Sequence, residues 1–362
     1  MSKKCIYIYH EYGSNSHYRA LEWYSIKKEN VKIIYREFSV SKNLFKSLMT
    51  LNYALFLKQL KNIYFFIELI FSKSKTIIVG IAPYDWRLLI YYPIFKRHKF
   101  YYHTSFTSWG YLNYPKKLFA STQISKEIWR KFIESSKGVF CVSEKTRNEI
   151  GLHYSINGSS VVNHSIPDTY VSKKISLMNN SNSDFIKCLY VGRMSESKGI
   201  KSIFELIKSI DPKRFYFEFV GKGELEDEVE KFCRERSNCN FRGYKSSSEL
   251  KLIYDASDIL LLPSVRKGAW EELFGMVLIE AMSRGVVPFS TNHTGPTEII
   301  DNGINGLYFS ENEFVQSTIQ NLQNFFENNP ELIRMKKEAF KKGQNYSPRI
   351  IFDKWNNLLE LK

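Results

Sequence analysis

Short apolar runs that end in a glycine or serine turn and pass into a helical stretch recur through this chain, and that recurrence limits its fold more than any other feature. In the first half the runs are CIYIYH at 5–10, VKIIYREF at 31–38, TIIVG at 76–80, KFYYHT at 99–104 and GVFC at 138–141. In the second half they are IKCLYVG at 186–192, FEFVG at 217–221, ILLLPS at 259–264 and VVPFST at 286–291. Apolar runs of this length bounded by turn residues read as buried strands, and strand–turn–helix repeats make an α/β protein. Helix entries are marked too. Ser143 precedes Glu144 in SEKTRNEI, and SSSELKLIYDASD at 246–258 opens on capping serines.

Within the second half, PSVRKGAWEELFGMVLIEAMSRGVVPFSTNHTGPTEIIDNGING at 263–306 is richest in chemistry. Glu272 and Glu280 stand eight positions apart, and the run from Met276 to Met282 has helical composition. With Glu272 at the helix entrance, the two carboxylates lie along nearly one face, roughly 12 Å apart. Between them Phe274 and Gly275 begin the helix, whose first N–H groups and dipole suit a phosphate. A nucleotide-sugar fits the order acid, anion site, acid. The plainer reading, two solvated helix glutamates, suits E-x7-E taken alone.

Four neighbouring blocks change that weighing: YVGRMSESKG at 190–199, FEFVGKGELEDEVEKF at 217–232, FRGYKSSSELKLIYDASDILLLPS at 241–264 and TGPTEIIDNGINGLYF at 294–309. With ELFGMVLIEAMSRGVVP at 272–288 they resemble, in order, the donor site of family 4 glycosyltransferases. The resemblance implies a GT-B fold: two Rossmann-like domains with a cleft between them. It implies that Glu272 binds donor-sugar hydroxyls, that Glu280 binds ribose, and that Arg193, Lys198, Phe274 and Gly275 take the diphosphate. Arg242, Gly243 and Tyr244 would lie by the base. Positioned cations suit a leaving diphosphate, which gains charge as the glycosidic bond breaks. No Asp-x-Asp pair accompanies these blocks, so neither metal nor cofactor is expected beyond the nucleotide-sugar. Glu298 falls at a recurrent family glutamate, with a role left open between the site and local pairing.

In the first half, EYGSNSHYRALEWY at 11–24 reads as a small-residue turn into a helix. By the resemblance that loop faces the cleft, and Gly13, Ser14 and Asn15 could bring backbone to a phosphate or sugar; a plain strand-to-helix turn is the alternative. His103, after the strand FYY with Thr104 and Ser105 beside it, matches the position from which these enzymes reach the transferred sugar. His10 and His17 carry less weight. At 163–168 the run NHSIPD lacks the glycine common in the family, so no role is assigned there.

At 362 residues the length suits about two domains, and 43% hydrophobic with 15% aromatic content supplies their cores. The polar interval VSKKISLMNNSNSDF, 171–185, reads as a linker. It separates an acceptor-side domain, 1–170, from a nucleotide-sugar domain, 186–347. The resemblance implies that the final helix, 348–362, crosses back to the first domain. The longest apolar candidate, Ile63 to Phe71, is short and interrupted by Glu68, and MSKKCIYIYH runs directly into a strand. A spanning helix and a signal peptide are therefore not expected, and the chain reads as cytosolic. Cys5, Cys141, Cys188, Cys233 and Cys239 show no metal spacing and read as reduced packing residues.

Charge is divided unevenly. Residues 1–175 carry 27 Lys and Arg against 11 Asp and Glu, and the remainder 25 against 26. Such a field attracts polyanions. Residues 43–75 add Leu44, Phe45, Leu48, Leu51, Leu55, Leu60 and Ile63 at helix-like intervals, with Lys42, Lys46, Lys58, Lys61, Lys73 and Lys75 as the polar side. The segment is either a core-facing helix or helix pair, or a basic helix lying in a membrane interface.

The resulting expectation is a retaining, metal-independent hexosyltransferase of family 4, using a UDP- or GDP-sugar. Its acceptor would be a polyprenyl-diphosphate-linked saccharide of bacterial capsule or O-antigen synthesis, met on the anionic inner face of the cytoplasmic membrane. The rivals are a phosphorylase of the same fold and a basic membrane- or nucleic-acid-binding protein with an inactive donor site. No nucleic-acid-binding module is present to favour the latter.

Overall fold

The computed structural model describes residues 4–10, 16–28, 30–107, 109, 123–175, 185–268 and 270–361, and the structural statements below concern these residues. Gly13, Ser14 and Asn15 lie outside them. The chain forms two compact units, residues 1–164 with 348–362 and residues 165–347. The division falls after His164, ahead of the compositional change at 171.

In the first unit, β1 (Lys4–His10), β2 (Val31–Glu37), β3 (Thr76–Gly80), β4 (Lys99–Thr104), β5 (Val139–Cys141) and β6 (Ser159–Val161) form one sheet in the order β2-β1-β3-β4-β5-β6. All five pairings are parallel, with Tyr9 opposite Val79 and His103 opposite Phe140. Parallel strands covered on both faces need apolar side chains on both, and Ile77, Ile78, Val79 and Tyr102 are fully buried. Helix α1 (Arg19–Lys27) follows β1. Pro348–Leu359, at the end of the chain, packs on α1 and β6: the Tyr24 and Phe352 rings stack at 3.8 Å, Trp355 lies 4.4 Å from Phe140, and Ser160 Oγ donates to the Lys354 carbonyl at 2.8 Å.

Residues 43–75 are not one helix. Helix α2 (Val40–Met49) and helix α3 (Tyr53–Phe71) meet at a corner where Leu51 has φ +50° and Asn52 caps α3 by accepting from the Leu55 N–H at 2.9 Å. Two of the lysines read as the polar side are held in ion pairs, Lys58 with Glu37 at 2.5 Å and Lys75 with Glu68 at 2.6 Å.

In the second unit, β7 (Ile186–Val191), β8 (Phe215–Val220), β9 (Cys239–Phe241), β10 (Ile259–Leu262), β11 (Val287–Thr291) and β12 (Leu307–Phe309) form a second parallel sheet, β12-β11-β10-β7-β8-β9. Its core gathers Tyr190, Phe217, Phe219, Leu261 and Phe289. Buried charges beneath the sheet are paired, as the interior demands. Lys336 Nζ lies 2.7 Å from Asp258, which also accepts the Lys187 N–H at 2.9 Å, and Arg284 bridges Asp255 at 2.6 Å. Ser246 and Glu249 close a capping box on the helix Ser247–Asp255.

Candidate functional site

Open parallel sheets bind ligands beyond the carboxyl ends of their strands, where the strand order reverses. In the second unit that point lies between β7 and β10, because the chain lays β8 and β9 on one side of β7 and returns to place β10 on the other. Lys198 follows β7 and Glu272 follows β10. Gly199, next to Lys198, has φ +70°, and a Cβ there would sit 1.8 Å from the Pro263 carbonyl oxygen. The loops after the two strands therefore touch backbone to backbone, which only glycine permits.

That approach brings Lys198 and Glu272 together. Lys198 Nζ pairs with Glu272 Oε2, and Ser264 Oγ donates to the same oxygen at 3.2 Å. The Lys198 ammonium also lies 5.0 Å from the Trp270 ring centre. The main chain of Glu272 is fastened at both ends: its N–H donates to His293 Nδ1 at 3.0 Å and its carbonyl accepts from the Gly295 N–H at 2.9 Å. Because His293 Nδ1 accepts, the ring proton sits on Nε2, which faces Glu311 Oε1 at 2.9 Å. His293 is fully buried, and burial holds its pKa below the usual histidine value. Glu271 receives the Thr294 hydroxyl at 2.8 Å.

The spacing E-x7-E does not place both acids on one helix. Helix Met276–Met282 starts four residues after Glu272, and its N-cap Gly275 has φ +79°. The left-handed cap and the ties to His293 and Gly295 hold Glu272 out of the helical path. Glu280 alone of the two is helical; it is half-buried, and its charge helps raise the pKa of the buried Tyr254, after desolvation. Phe274 is buried.

Arg193 is exposed after β7, and its carbonyl is fixed by the Tyr190 hydroxyl at 2.7 Å. It lines a cavity of about 260 Å³ with Gly192, Gly221, Lys222, Tyr244 and Lys245. Of the expected base region, Tyr244 faces this cavity, with Lys222 Nζ 5.4 Å from its ring. Gly243 accepts the Gly221 N–H at 3.0 Å, and Arg242 is engaged by Glu218 at 2.7 Å. Glu298 is half-buried in the helix Thr294–Ile299.

In the first unit the reversal lies between β1 and β3, and the carboxyl ends there are lined by histidines. His103 is buried within β4, and its Nδ1 lies 3.0 Å from the Tyr18 hydroxyl, while Nε2 has no hydrogen-bond partner. His17 lies 6.4 Å from His103, 4.4 Å from His164 and 5.9 Å from His10, ring centre to ring centre. Desolvation, with repulsion from neighbouring histidines, pushes His103 and His164 well below the ordinary value. Gly80 ends β3 because a Cβ would stand 2.3 Å from the His10 ring.

The sequence did not single out His293, Glu311, Trp270 or His164. His293 directly precedes the TGPTEII block, which was its one available signal; the other three act through folded contacts with no fixed spacing. Among the described residues no group of three or more His, Cys, Asp or Glu side chains is arranged to hold a metal ion. The second unit offers cations, a fixed carboxylate and a cavity, which together can take a charged, hydroxyl-rich ligand.

Two parallel six-stranded sheets with helices constitute the GT-B fold, and Anabaena HepE, solved in complex with UDP, superimposes with a TM-score of 0.70 over 99% of both chains at 15% identity. Residues 172–342 match the family described as "Glycosyl transferases group 1", a likeness carried by the second unit, while the whole chain shares the GT-B fold. An uncharacterised 41.2 kDa protein in the cps region of Klebsiella pneumoniae is 32% identical over 122 residues, 34% of this chain and 32% of that one. The amylovoran biosynthesis glycosyltransferase AmsK of Erwinia amylovora is 29% identical over 127 residues, 33% of this chain and 31% of that one. The chain thus spans about a third of the length of these curated relatives.

Proposed function

We propose that this protein is a retaining, metal-independent family 4 glycosyltransferase that moves a hexosyl group from a UDP- or GDP-sugar to a lipid-linked saccharide during surface-polysaccharide synthesis. The observation that carries this is the Lys198–Glu272–Ser264 constellation at the reversal point of the second sheet, with Arg193 and a 260 Å³ cavity on the same strand ends. Glu272 accepts hydrogen bonds from donor-sugar hydroxyls, Arg193 and Lys198 take the diphosphate with the backbone at Phe274 and Gly275, and Glu280 takes the ribose diol. Tyr244 suits a base in the cavity. A diphosphate competes with Glu272 for Lys198, so binding frees the carboxylate as it engages the cation. His103, held neutral by burial with its Nε2 unpartnered, can hydrogen-bond a sugar hydroxyl without adding charge.

Retention follows without a protein nucleophile if the phosphate oxygen leaving the anomeric carbon takes the proton of the acceptor hydroxyl attacking the same face. One C–O bond breaks, one forms, and the nucleoside diphosphate departs with the proton. The relatives from cps and amylovoran systems support a surface polysaccharide as product, and the basic first half supports docking on an anionic inner leaflet. The test is release of nucleotide from a panel of UDP-, GDP- and ADP-sugars, with product stereochemistry read by NMR. Consumption of a UDP- or GDP-sugar with the donor's anomeric configuration retained supports the proposal; inversion, or a requirement for inorganic phosphate as co-substrate, rejects it.

A further inference from the structure

Helix α3 carries large apolar side chains on its outer face as well as towards the core. Tyr53, Leu57, Leu60, Tyr64, Ile67 and Phe71, spaced alternately by four and three, are all exposed, Tyr53 at 72% and Phe71 at 82%. The same helix hides amides. Gln59 and Asn62 are buried, Asn62 Nδ2 donating to Gln59 Oε1 at 3.0 Å and Gln59 Nε2 to Glu37 Oε2 at 3.3 Å. Phe65 and Leu69 alone anchor α3 to the core with large apolar side chains among its fully buried residues. At 1.5 Å per residue the outward stripe runs roughly 28 Å along the 19-residue helix. The corner with α2 extends it with Phe45, Leu48, Met49 and Leu51, the last 92% exposed. Contiguous apolar surface of this extent marks an interaction site.

Charge identifies the occupant. Residues 40–75 hold six lysines against the single acid Glu68. Lys58 and Lys75 are held by Glu37 and Glu68, whereas Lys42, Lys46, Lys61 and Lys73 are exposed. A second copy would bring the same positive charge to the contact, and like charges oppose it. An anionic bilayer complements both parts: apolar side chains enter the boundary between headgroups and acyl chains, tyrosines favour that depth, and lysines reach lipid phosphates. No described helix is long and apolar enough to cross a membrane.

We propose that α3 and the α2–α3 corner form an in-plane membrane-binding element, the stripe Tyr53–Leu57–Leu60–Tyr64–Ile67–Phe71 entering an anionic bilayer. This rests on the reading above that the protein works at a membrane, and it adds that apolar insertion, and not surface charge alone, holds it there.

The test is sedimentation of the full chain with phosphatidylcholine vesicles, with and without phosphatidylglycerol, at low and high salt. A Leu57→Ser/Leu60→Ser/Ile67→Ser variant and a Lys61→Glu/Lys73→Glu variant are run beside it. Both change exposed side chains, and unchanged melting temperature and unchanged nucleotide-sugar hydrolysis in solution confirm an intact fold. The expected result is binding to phosphatidylglycerol vesicles that persists in part at high salt, with that salt-resistant fraction reduced at least tenfold in the serine variant. The glutamate variant should lose binding mainly at low salt. Binding abolished by salt and untouched by the serine substitutions overturns insertion but leaves charge-driven association standing. No binding to either vesicle overturns the membrane reading itself. Self-association lost in the serine variant, without vesicle binding, assigns the stripe to a second copy and overturns the proposal.

Discussion

The two units each carry a six-stranded parallel sheet, in different strand orders, and handle charge in opposite ways at the carboxyl ends of their strands. In the first, His10, His17, His103 and His164 crowd together with Tyr18, and burial keeps His17, His103 and His164 below their ordinary pKa values. In the second, Lys198 and Glu272 satisfy each other, and Arg193 stands at an open cavity. One end keeps its histidines neutral by burial, and the other holds its charges in a pair. Chemistry at such a fold is therefore set by the loops and strand ends, since both sheets beneath are six-stranded and parallel.

The largest effect on this contrast should come from the glycine that lets the second unit form its pair. Gly199→Ala adds a Cβ that would meet Pro263 O, at a φ of +70°. It should destabilise the protein by about 3 kcal/mol or more, measured by urea unfolding. A loss below about 1 kcal/mol would mean that the loops after β7 and β10 are not in contact.

Next in size are the charged residues themselves. Glu272→Gln and Arg193→Ala should each lower turnover at least tenfold, about 1.4 kcal/mol in barrier, with the melting temperature little changed. Glu272 is held at its main chain by His293 and Gly295, so the amide variant should keep its position. Near wild-type transfer by either variant would remove it from the site.

A smaller effect separates the histidine end. His103 and His164 stay neutral in the folded protein but protonate in the unfolded chain below about pH 6.5. The unfolded state then binds more protons, so stability is present above that pH and is lost as pH falls, by up to about 1.4 kcal/mol per pH unit for each histidine. Thermal melts between about pH 7 and about pH 5 should show this slope, and His164→Gln should flatten it. An unchanged slope in that variant would place the acid sensitivity elsewhere. Smallest of all, excess EDTA should leave turnover as it was; loss restored by Mg²⁺ or Mn²⁺ would require a metal.

Much of this was legible in the chain. Apolar runs ending in glycine mark the strands, and Ser143 and Ser246 cap helices as their positions indicate, each accepting from the N–H three residues on. Lys198 and Glu272 were visible because each sits in a distinctive block. Three things were not. The helical period shows that residues 53–71 have an apolar stripe, but periodicity does not say whether the stripe faces core or solvent, and here Gln59 and Asn62 take the inward positions. E-x7-E suggested one helix because spacing cannot register the positive φ of Gly275. His293 supports Glu272 through a backbone N–H, a contact that leaves no mark in side-chain pattern.

The measurement that bears most directly on the proposed activity is nucleotide release from UDP-, GDP- and ADP-sugars by the wild type and Glu272→Gln, in the same buffer with EDTA. The expected result is that a UDP- or GDP-sugar is consumed by the wild type and at least tenfold more slowly by the variant. Consumption of none of them, or equal consumption by both proteins, would contradict a donor site built on Lys198 and Glu272.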